Sequence, residues 1–285
     1  MNIGAHVSTK GGLACAPARA MEIGAECFQT HPTSPQSWRP IAGDDSSTEA
    51  FSQAHRDAGS LPHYFHAIYL INLATPKDGH REQSGKALVD HLQWGERLGA
   101  SGVVFHPGSH LGAGFEVMLP AVISVLTQVI EETEECQVPL LLENNAGSGA
   151  CIGRSFEEIA AILDGVNSPR LRMCLDTAHV FASGYDIRSP EGAHAMLNGL
   201  NSTIGMERIS LVHANDSKSD LGSNADRHEN IGDGKIGSEG LSALFQDPRM
   251  ACIDAVLEVP GMEHEGPDRT NINRLRACAG KAELG

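Results

Sequence analysis

Short apolar runs alternate with longer amphipathic stretches from one end of the chain to the other. The runs are Ile3–Ala5, Ala25–Gln29, Tyr64–Ala67, Val103–Phe105, Pro139–Leu142, Arg172–Leu175, Ile209–Val212 and Ala255–Leu257. All are of strand length and too short for helices. Helical patterns fall between them at Leu13–Ile23, Thr48–Ala58, Glu82–Leu98 (stopped by Gly99) and Phe115–Glu135. Four more lie at Ser155–Leu163, Glu191–Asn201, Glu239–Phe245 and Thr270–Ala279. Ser155 and Glu158 have the spacing of a capping box, in which each side chain takes up a free amide of the first turn. Eight runs with helices between them, and no linker or fixed repeat, predict an α/β fold: one (β/α)₈ TIM barrel over residues 1–285. A doubly wound open sheet is the alternative. No glycine-rich dinucleotide fingerprint follows the first run and no GxxxxGK[ST] phosphate loop occurs, which weighs against it.

Polar residues recur where these runs end: His6, His66, His106, Glu143, Asp176, His213 and Glu258. In a barrel these positions face one another across the C-terminal mouth, where active sites are built. One such ending could be coincidence, whereas endings on nearly every run point to a site. Histidines and carboxylates crowded on one face would repel or protonate one another unless cations lay among them. Nitrogen and oxygen ligands without thiolates favour zinc, with manganese or iron as alternatives. In Leu-Asp-Thr-Ala-His, Asp176 and His179 are three residues apart, so a turn at the strand end would aim both to one side.

The stretch from His213 to Gly237 has neither helical nor strand periodicity and reads as a long loop leaving a buried strand. Loops of that length are usually functional. It carries Asp216, Asp220, Asp226, His228, Glu229 and Asp233, and Asp226 and His228 can project together while Arg227 points away. With His179, Asp226 and His228 added, at least nine candidate ligands exist, enough for a cluster of two or three metals.

Composition narrows the picture. Of 285 residues, 41% are hydrophobic, enough for a full core, and the 36 acidic against 21 basic residues give a net charge of −15. That is not the positive stripe of a typical nucleic-acid binder, although bound cations would cancel several acidic charges locally. The seven cysteines are odd in number and form no CxxC pair, which predicts a reducing compartment without a disulfide framework. MNIGAHVSTKGG lacks a charged segment followed by an apolar one, so no signal peptide is expected, and no apolar run reaches the ~18 residues of a membrane span. A soluble cytoplasmic protein is expected.

The motifs carry a resemblance to the endonuclease IV family of apurinic/apyrimidinic endonucleases (AP endonuclease family 2), covering essentially the whole chain. They are Ile3-Gly4-Ala5-His6-Val7-Ser8 with Gly11-Gly12, Tyr69-Leu70-Ile71-Asn72-Leu73, and His106-Pro107-Gly108-Ser109-His110. Further along come Glu143-Asn144-Asn145-Ala146-Gly147, Leu175-Asp176-Thr177-Ala178-His179 with Gly184-Tyr185-Asp186, and His213-Ala214-Asn215-Asp216-Ser217-Lys218. The last is Gly222-Ser223 through Asp226-Arg227-His228 to Ile231-Gly232-Asp233-Gly234.

The resemblance implies a zinc-dependent DNA-repair enzyme with three zinc ions. Carried over by motif, the first metal takes His66, His106 and Glu143; the second takes Glu143 as a bridge, with Asp176, His213 and Glu258; the third takes His179, Asp226 and His228. The implied substrate is double-stranded DNA, cut 5′ to an abasic site to leave a 3′-hydroxyl and a 5′-deoxyribose phosphate, with blocked 3′ ends also trimmed. Glu143 is the implied catalytic residue, orienting the attacking water or taking its proton, and Tyr69, Gln36 and Trp38 are the candidate DNA contacts. The protein would act as a monomer, at the nucleoid if bacterial.

The segment Thr30–Trp38 departs from the family. Gln36 stands where an Arg that enters the duplex is common, and His31-Pro32 where Phe-Thr is usual. A shorter neutral wedge should stabilise bent DNA less well. Ala178 replaces a common Cys without changing a ligand. Two other readings compete: a xylose-isomerase-like sugar isomerase or epimerase, which needs only Glu143, Asp176, His213 and Glu258, and a damage-binding homologue that has lost cutting.

Overall fold

The computed structural model describes Met1–Gly285. Its first half contains β1 (Ile3–His6), α1 (Ala16–Ile23), β2 (Phe28–Thr30), α2 (Asp45–Asp57), β3 (His63–His66), α3 (Asp78–Leu98), β4 (Gly102–Phe105) and α4 (Phe115–Glu132). There follow β5 (Leu140–Glu143), α5 (Phe156–Val166), β6 (Leu171–Asp176), α6 (Thr177–Ser183), α7 (Pro190–Thr203) and β7 (Ile209–His213). The chain ends with β8 (Asp216–Ser217), β9 (His228–Glu229), α8 (Gly237–Phe245), β10 (Asp254–Leu257) and α9 (Arg269–Cys278). All eight expected apolar runs become strands of one closed parallel barrel, in the order β1-β10-β7-β6-β5-β4-β3-β2.

The core has two parts because strand side chains alternate between faces. A large apolar cluster of 60 buried residues contains the outward-facing strand residues, such as Val103, Phe105, Leu140 and Leu142, together with the buried helix faces. Inside the barrel lies a second layer of seven: Cys27, Tyr64, Val104, Leu141, Cys174, Leu211 and Val256. Gly4 fills the eighth place, where a Cβ would stand 1.8 Å from the Cys27 carbonyl oxygen. Two residues further along each strand is the next inward position, and it is there that His6, Gln29, His66, His106, Glu143, Asp176, His213 and Glu258 fall. The period of the strand therefore stacks a ring of polar residues on an apolar plug.

Three local expectations change. The turn anticipated after Asp176 is the helix α6, capped by Asp176 itself, whose carboxylate accepts from the His179 amide at 2.8 Å. The stretch from His213 to Gly237 is not wholly a loop, because β8 and β9 pair antiparallel, Asp216 with Glu229 and Ser217 with His228. Two-residue strands are too short to leave a period in the sequence. At α5, Ser155 accepts from the Glu158 amide, but Glu158 does not return the bond to Ser155. Its carboxylate instead accepts from the Gly153 and Arg154 amides at 2.7 and 3.2 Å, tying down the connection from β5.

Candidate metal centre

Glu143, at the top of β5, is buried at the middle of three convergent groups: His66, His106 and Glu143; Glu143, Asp176, His213 and Glu258; and Asp176, His179 and His228. An ion bound tetrahedrally at about 2.0 Å holds its ligand atoms about 3.3 Å apart. The His66 and His106 Nε2 atoms lie 3.3 and 3.4 Å from Glu143 Oε2. His213 Nδ1 lies 3.0 Å from Glu143 Oε1 and 3.1 Å from Glu258 Oε2. Asp226 Oδ1 lies 3.1 Å from His179 Nε2 and 3.3 Å from His228 Nε2. These spacings match the separation that two ligands of one such ion would have. Both imidazole nitrogens facing Asp226 are buried and make no aligned hydrogen bond, as expected of donors aimed at a shared point between them. The residues present fit divalent metal ions.

Asp176 belongs to two groups. The motif puts it with the second metal alone, yet its Oδ2 is also 3.5 Å from His228 Nε2. Asp226 is the outermost member, with its side chain about half exposed, whereas Glu143, Asp176 and His213 are sealed. The third group is thus the open one.

In four histidines the nitrogen turned away from the centre meets a fixed oxygen. His66 Nδ1 donates to the Ala67 carbonyl at 2.8 Å, and His179 Nδ1 to the Asn144 carbonyl at 2.9 Å. His228 Nδ1 donates to the Glu258 carbonyl at 3.2 Å, and His213 Nε2 to Gln29 Oε1 at 2.9 Å. Such bonds fix the tautomer, leaving the inward nitrogen with a free lone pair. The carboxylates are likewise held: Asn215 Nδ2 donates to Asp176 Oδ2 at 2.7 Å, and Gln29 Nε2 to Glu258 Oε1 at 2.7 Å.

Sequence reasoning assigns no role to Gln29, Asn144 or Asn215. Gln29 sits at the one strand end not counted among the polar endings, and the two-residue step from Cys27 would have found it. The asparagines lie within the quoted motifs beside Glu143 and His213.

Electrostatically the groups support one another. Burial pushes the Glu143 carboxyl upward, but the neighbouring His106 and His213 outweigh it and hold it well below the usual range. Glu258 is pulled down against burial by His213, and Asp226 by His179 and His228. His179 is raised against burial by Asp176, and His228 by Asp176 and Asp226, the latter to about 9. His106 is lowered because burial dominates.

The loop between β7 and α8 divides by function. Asp216 faces away from the centre and is buried among backbone amides, while Asp220 pairs with Lys235 and Asp233 with Arg274. Only Asp226 and His228 join His213 in the centre.

A cavity of about 410 Å³ opens above the centre, lined by Tyr69, His66, Glu143, Asp226 and His228 among others. Tyr69 is an exposed rim residue, and its amide donates to the Pro35 carbonyl at 2.9 Å. Gln36 is exposed in the Thr30–Trp38 segment. Trp38 turns inward, packing edge-on against His80 of α3 with ring centroids 5.4 Å apart, so it anchors this segment and does not stand out from the rim.

Fold and centre together define a metal-binding TIM barrel, and comparison with known proteins places it further. Residues 17–278 match the family model described as xylose isomerase-like TIM barrel. The chain is 37% identical to the probable endonuclease 4 of Trichlorobacter lovleyi, with 96% of this chain and 98% of that protein covered. It is 39% identical to the probable endonuclease 4 of Natronomonas pharaonis, covering 97% and 98%. The crystal structure of endonuclease IV from Thermus thermophilus superposes with a TM-score of 0.86 at 36% identity, covering 98% of this chain and 99% of that one. A D-tagatose 3-epimerase-like protein shares the fold at 19% identity, TM-score 0.74, covering 97% and 96%. The chain belongs to the endonuclease IV family.

Proposed function

We propose that the protein hydrolyses the phosphodiester 5′ to abasic sites in double-stranded DNA, leaving a 3′-hydroxyl and a 5′-deoxyribose phosphate, and that it also trims blocked 3′ ends. The observation that carries this reading is the third group of ligands. A single-metal sugar isomerase would use Glu143, Asp176, His213 and Glu258 and leave His66, His106, His179, Asp226 and His228 without a purpose. Three divalent ions, zinc or else manganese or iron, suit the nine side chains. When bound, they supply Lewis-acid stabilisation of the charge that develops on a phosphodiester and make water acidic enough to attack near neutral pH.

The protein's own groups do the rest. Glu143 has both carboxylate oxygens among imidazoles, one facing His66 and His106 and the other facing His213. Its part is to bridge two groups and to orient the attacking water or take its proton. The half-exposed Asp226 leaves the third group accessible to a scissile phosphate entering from the cavity. An abasic nucleotide is readily extruded into such a mouth because no base must be unpaired. Tyr69 contacts the displaced sugar or its backbone, and Gln36 touches the duplex as a short neutral wedge on the segment that Trp38 anchors. The protein works as a monomer in the cytoplasm.

The test is incubation of metal-replete protein with a duplex containing one tetrahydrofuran abasic analogue. Cleavage on its 5′ side is expected; no cleavage with about three metals bound per chain would overturn the proposal.

A further inference from the structure

Tyr69 stands at the rim with a single polar partner for its hydroxyl, and that partner is His31, at 3.3 Å from His31 Nε2. His31 is in turn fixed from the other side. Its Nδ1 lies 3.0 Å from the carbonyl oxygen of His66. A carbonyl only accepts, so Nδ1 carries the proton, and in the neutral ring Nε2 is left as an acceptor for the phenol. The His31 ring is wedged between two other imidazoles, with centroids 4.7 Å from His6 and 5.0 Å from His66. It has little room to turn. The Tyr69 ring meets both His31 and His66 edge-on, at 5.1 and 5.5 Å. Residue 31 lies on the same segment as Gln36, and that segment is joined to Tyr69 a second time by the bond to the Pro35 carbonyl.

We propose that His31 is a positioning residue for DNA binding: it locks the Tyr69 side chain in the orientation that receives the displaced sugar and couples that orientation to the backbone of His66. The inference rests on the reading of this cavity as an abasic-DNA site. An exposed tyrosine free to rotate must be immobilised when DNA binds, and immobilising one side chain commonly costs about three- to tenfold in affinity. His31 removes that cost in advance. A phenylalanine at position 31 could fill the space between the imidazoles but could bond neither Tyr69 nor the His66 carbonyl.

The test is a double-mutant cycle of H31F and Y69F, with KM and kcat on the tetrahydrofuran duplex, bound metal and melting temperature measured for each variant. If H31F folds poorly, H31N takes its corner of the cycle, because its short amide can keep the bond to the His66 carbonyl but cannot reach the Tyr69 hydroxyl. Each single variant is expected to raise KM about three- to tenfold, with kcat within about twofold and metal content unchanged. The double variant is expected to match the single ones, because both break the same link. Losses that multiply, or an H31F defect in kcat or metal content that Y69F lacks, would overturn the role of His31 while leaving the nuclease reading intact. Metal-replete wild-type protein that does not cut overturns the proposed function, and the role of His31 with it.

Discussion

The carboxylate of Asp216 organises the strip of chain that completes the third ligand group, and replacing it with asparagine should remove that group while sparing the other two. Asp216 is fully buried. Its Oδ1 accepts from the amides of Ser217 at 2.8 Å, Ile236 at 3.0 Å and Gly237 at 3.3 Å. Its Oδ2 accepts from Gly232 at 3.0 Å, Gly234 at 3.1 Å and Gly237 at 3.2 Å. The glycines permit this close wrapping, since a Cβ on Gly234 would lie 2.4 Å from Oδ1. Asp216→Asn turns one acceptor oxygen into a donor. Whichever way the amide is flipped, two backbone N–H groups lose their only partner on that side, at about 1–3 kcal/mol each. The remaining bonds also lose charge assistance, so the local loss is about 2–6 kcal/mol or somewhat more. That is enough to open a ribbon of two-residue strands, which sits outside the barrel, before the barrel itself unfolds. Because His228 is on β9, which pairs with the strand holding Asp216, loosening it withdraws His228 and Asp226 together. Bound metal, measured after gel filtration, should fall by about one ion per chain. Hydrogen exchange at Gly232–Gly237 should accelerate, and abasic-site cleavage should drop at least tenfold while the barrel's circular dichroism is retained. Full metal content with unchanged exchange protection would show that the Asp216 carboxylate does not hold the third group in place.

Other substitutions probe separate links. Glu143→Gln should abolish cleavage with the fold intact by circular dichroism, and substantial residual activity would remove Glu143 from its assigned role. Gln29→Leu strips His213 Nε2 of its acceptor and Glu258 of a donor; metal affinity, measured by competition with a chromogenic chelator, should fall about 10–100-fold, and an unchanged affinity would show that Gln29 does not hold the ligands. His63 is buried among Phe28, Phe51 and His55 with neither ring nitrogen bonded, and burial, with His55 beside it, pushes its pKa down to about 3. The unfolded chain takes up that proton near pH 6.5 and the folded one does not, so the wild type loses stability as pH falls through the window from about 6.5 to 3. Relative to His63→Phe it should lose about 1.4 kcal/mol per pH unit there in urea unfolding at fixed metal concentration; a difference that is constant with pH would contradict this.

How much of this was legible in the sequence depends on what signal each feature leaves. The barrel was legible because eight strands buried on both faces must be apolar runs, and no turn chemistry interrupts them. The ligands on strand ends were legible for a related reason: a histidine or carboxylate directly after an apolar run costs stability unless something there requires it. Gln29 occupies an equivalent place and escaped, because a neutral amide ending a strand raises no such alarm. Asp216 failed in the opposite direction. Its residue type suggested a ligand, and only the packing shows that backbone amides already satisfy it. Trp38 was a candidate DNA contact, and the direction its side chain takes, against His80, depends on where α3 lies, which residues 30–40 do not encode.

The three ligand groups differ in the kind of structure they depend on, and this has a functional consequence. The first and second use residues at barrel strand ends, so any sequence that closes this barrel in this register brings them together. The third takes Asp226 and His228 from a ribbon whose geometry depends on one buried carboxylate and on the glycines around it. The period of two that stacks the ligand ring on the apolar plug governs the first two groups and reaches the third only through Asp176. A barrel can therefore keep its deep ligands, and with them the tetrad that would suit a sugar enzyme, while this ribbon is lost. In the proposed mechanism the ribbon is what turns a general metal-binding barrel mouth into one suited to a phosphodiester. Substitutions at Asp216 or the glycines around it should thus erode nuclease activity much faster than fold stability.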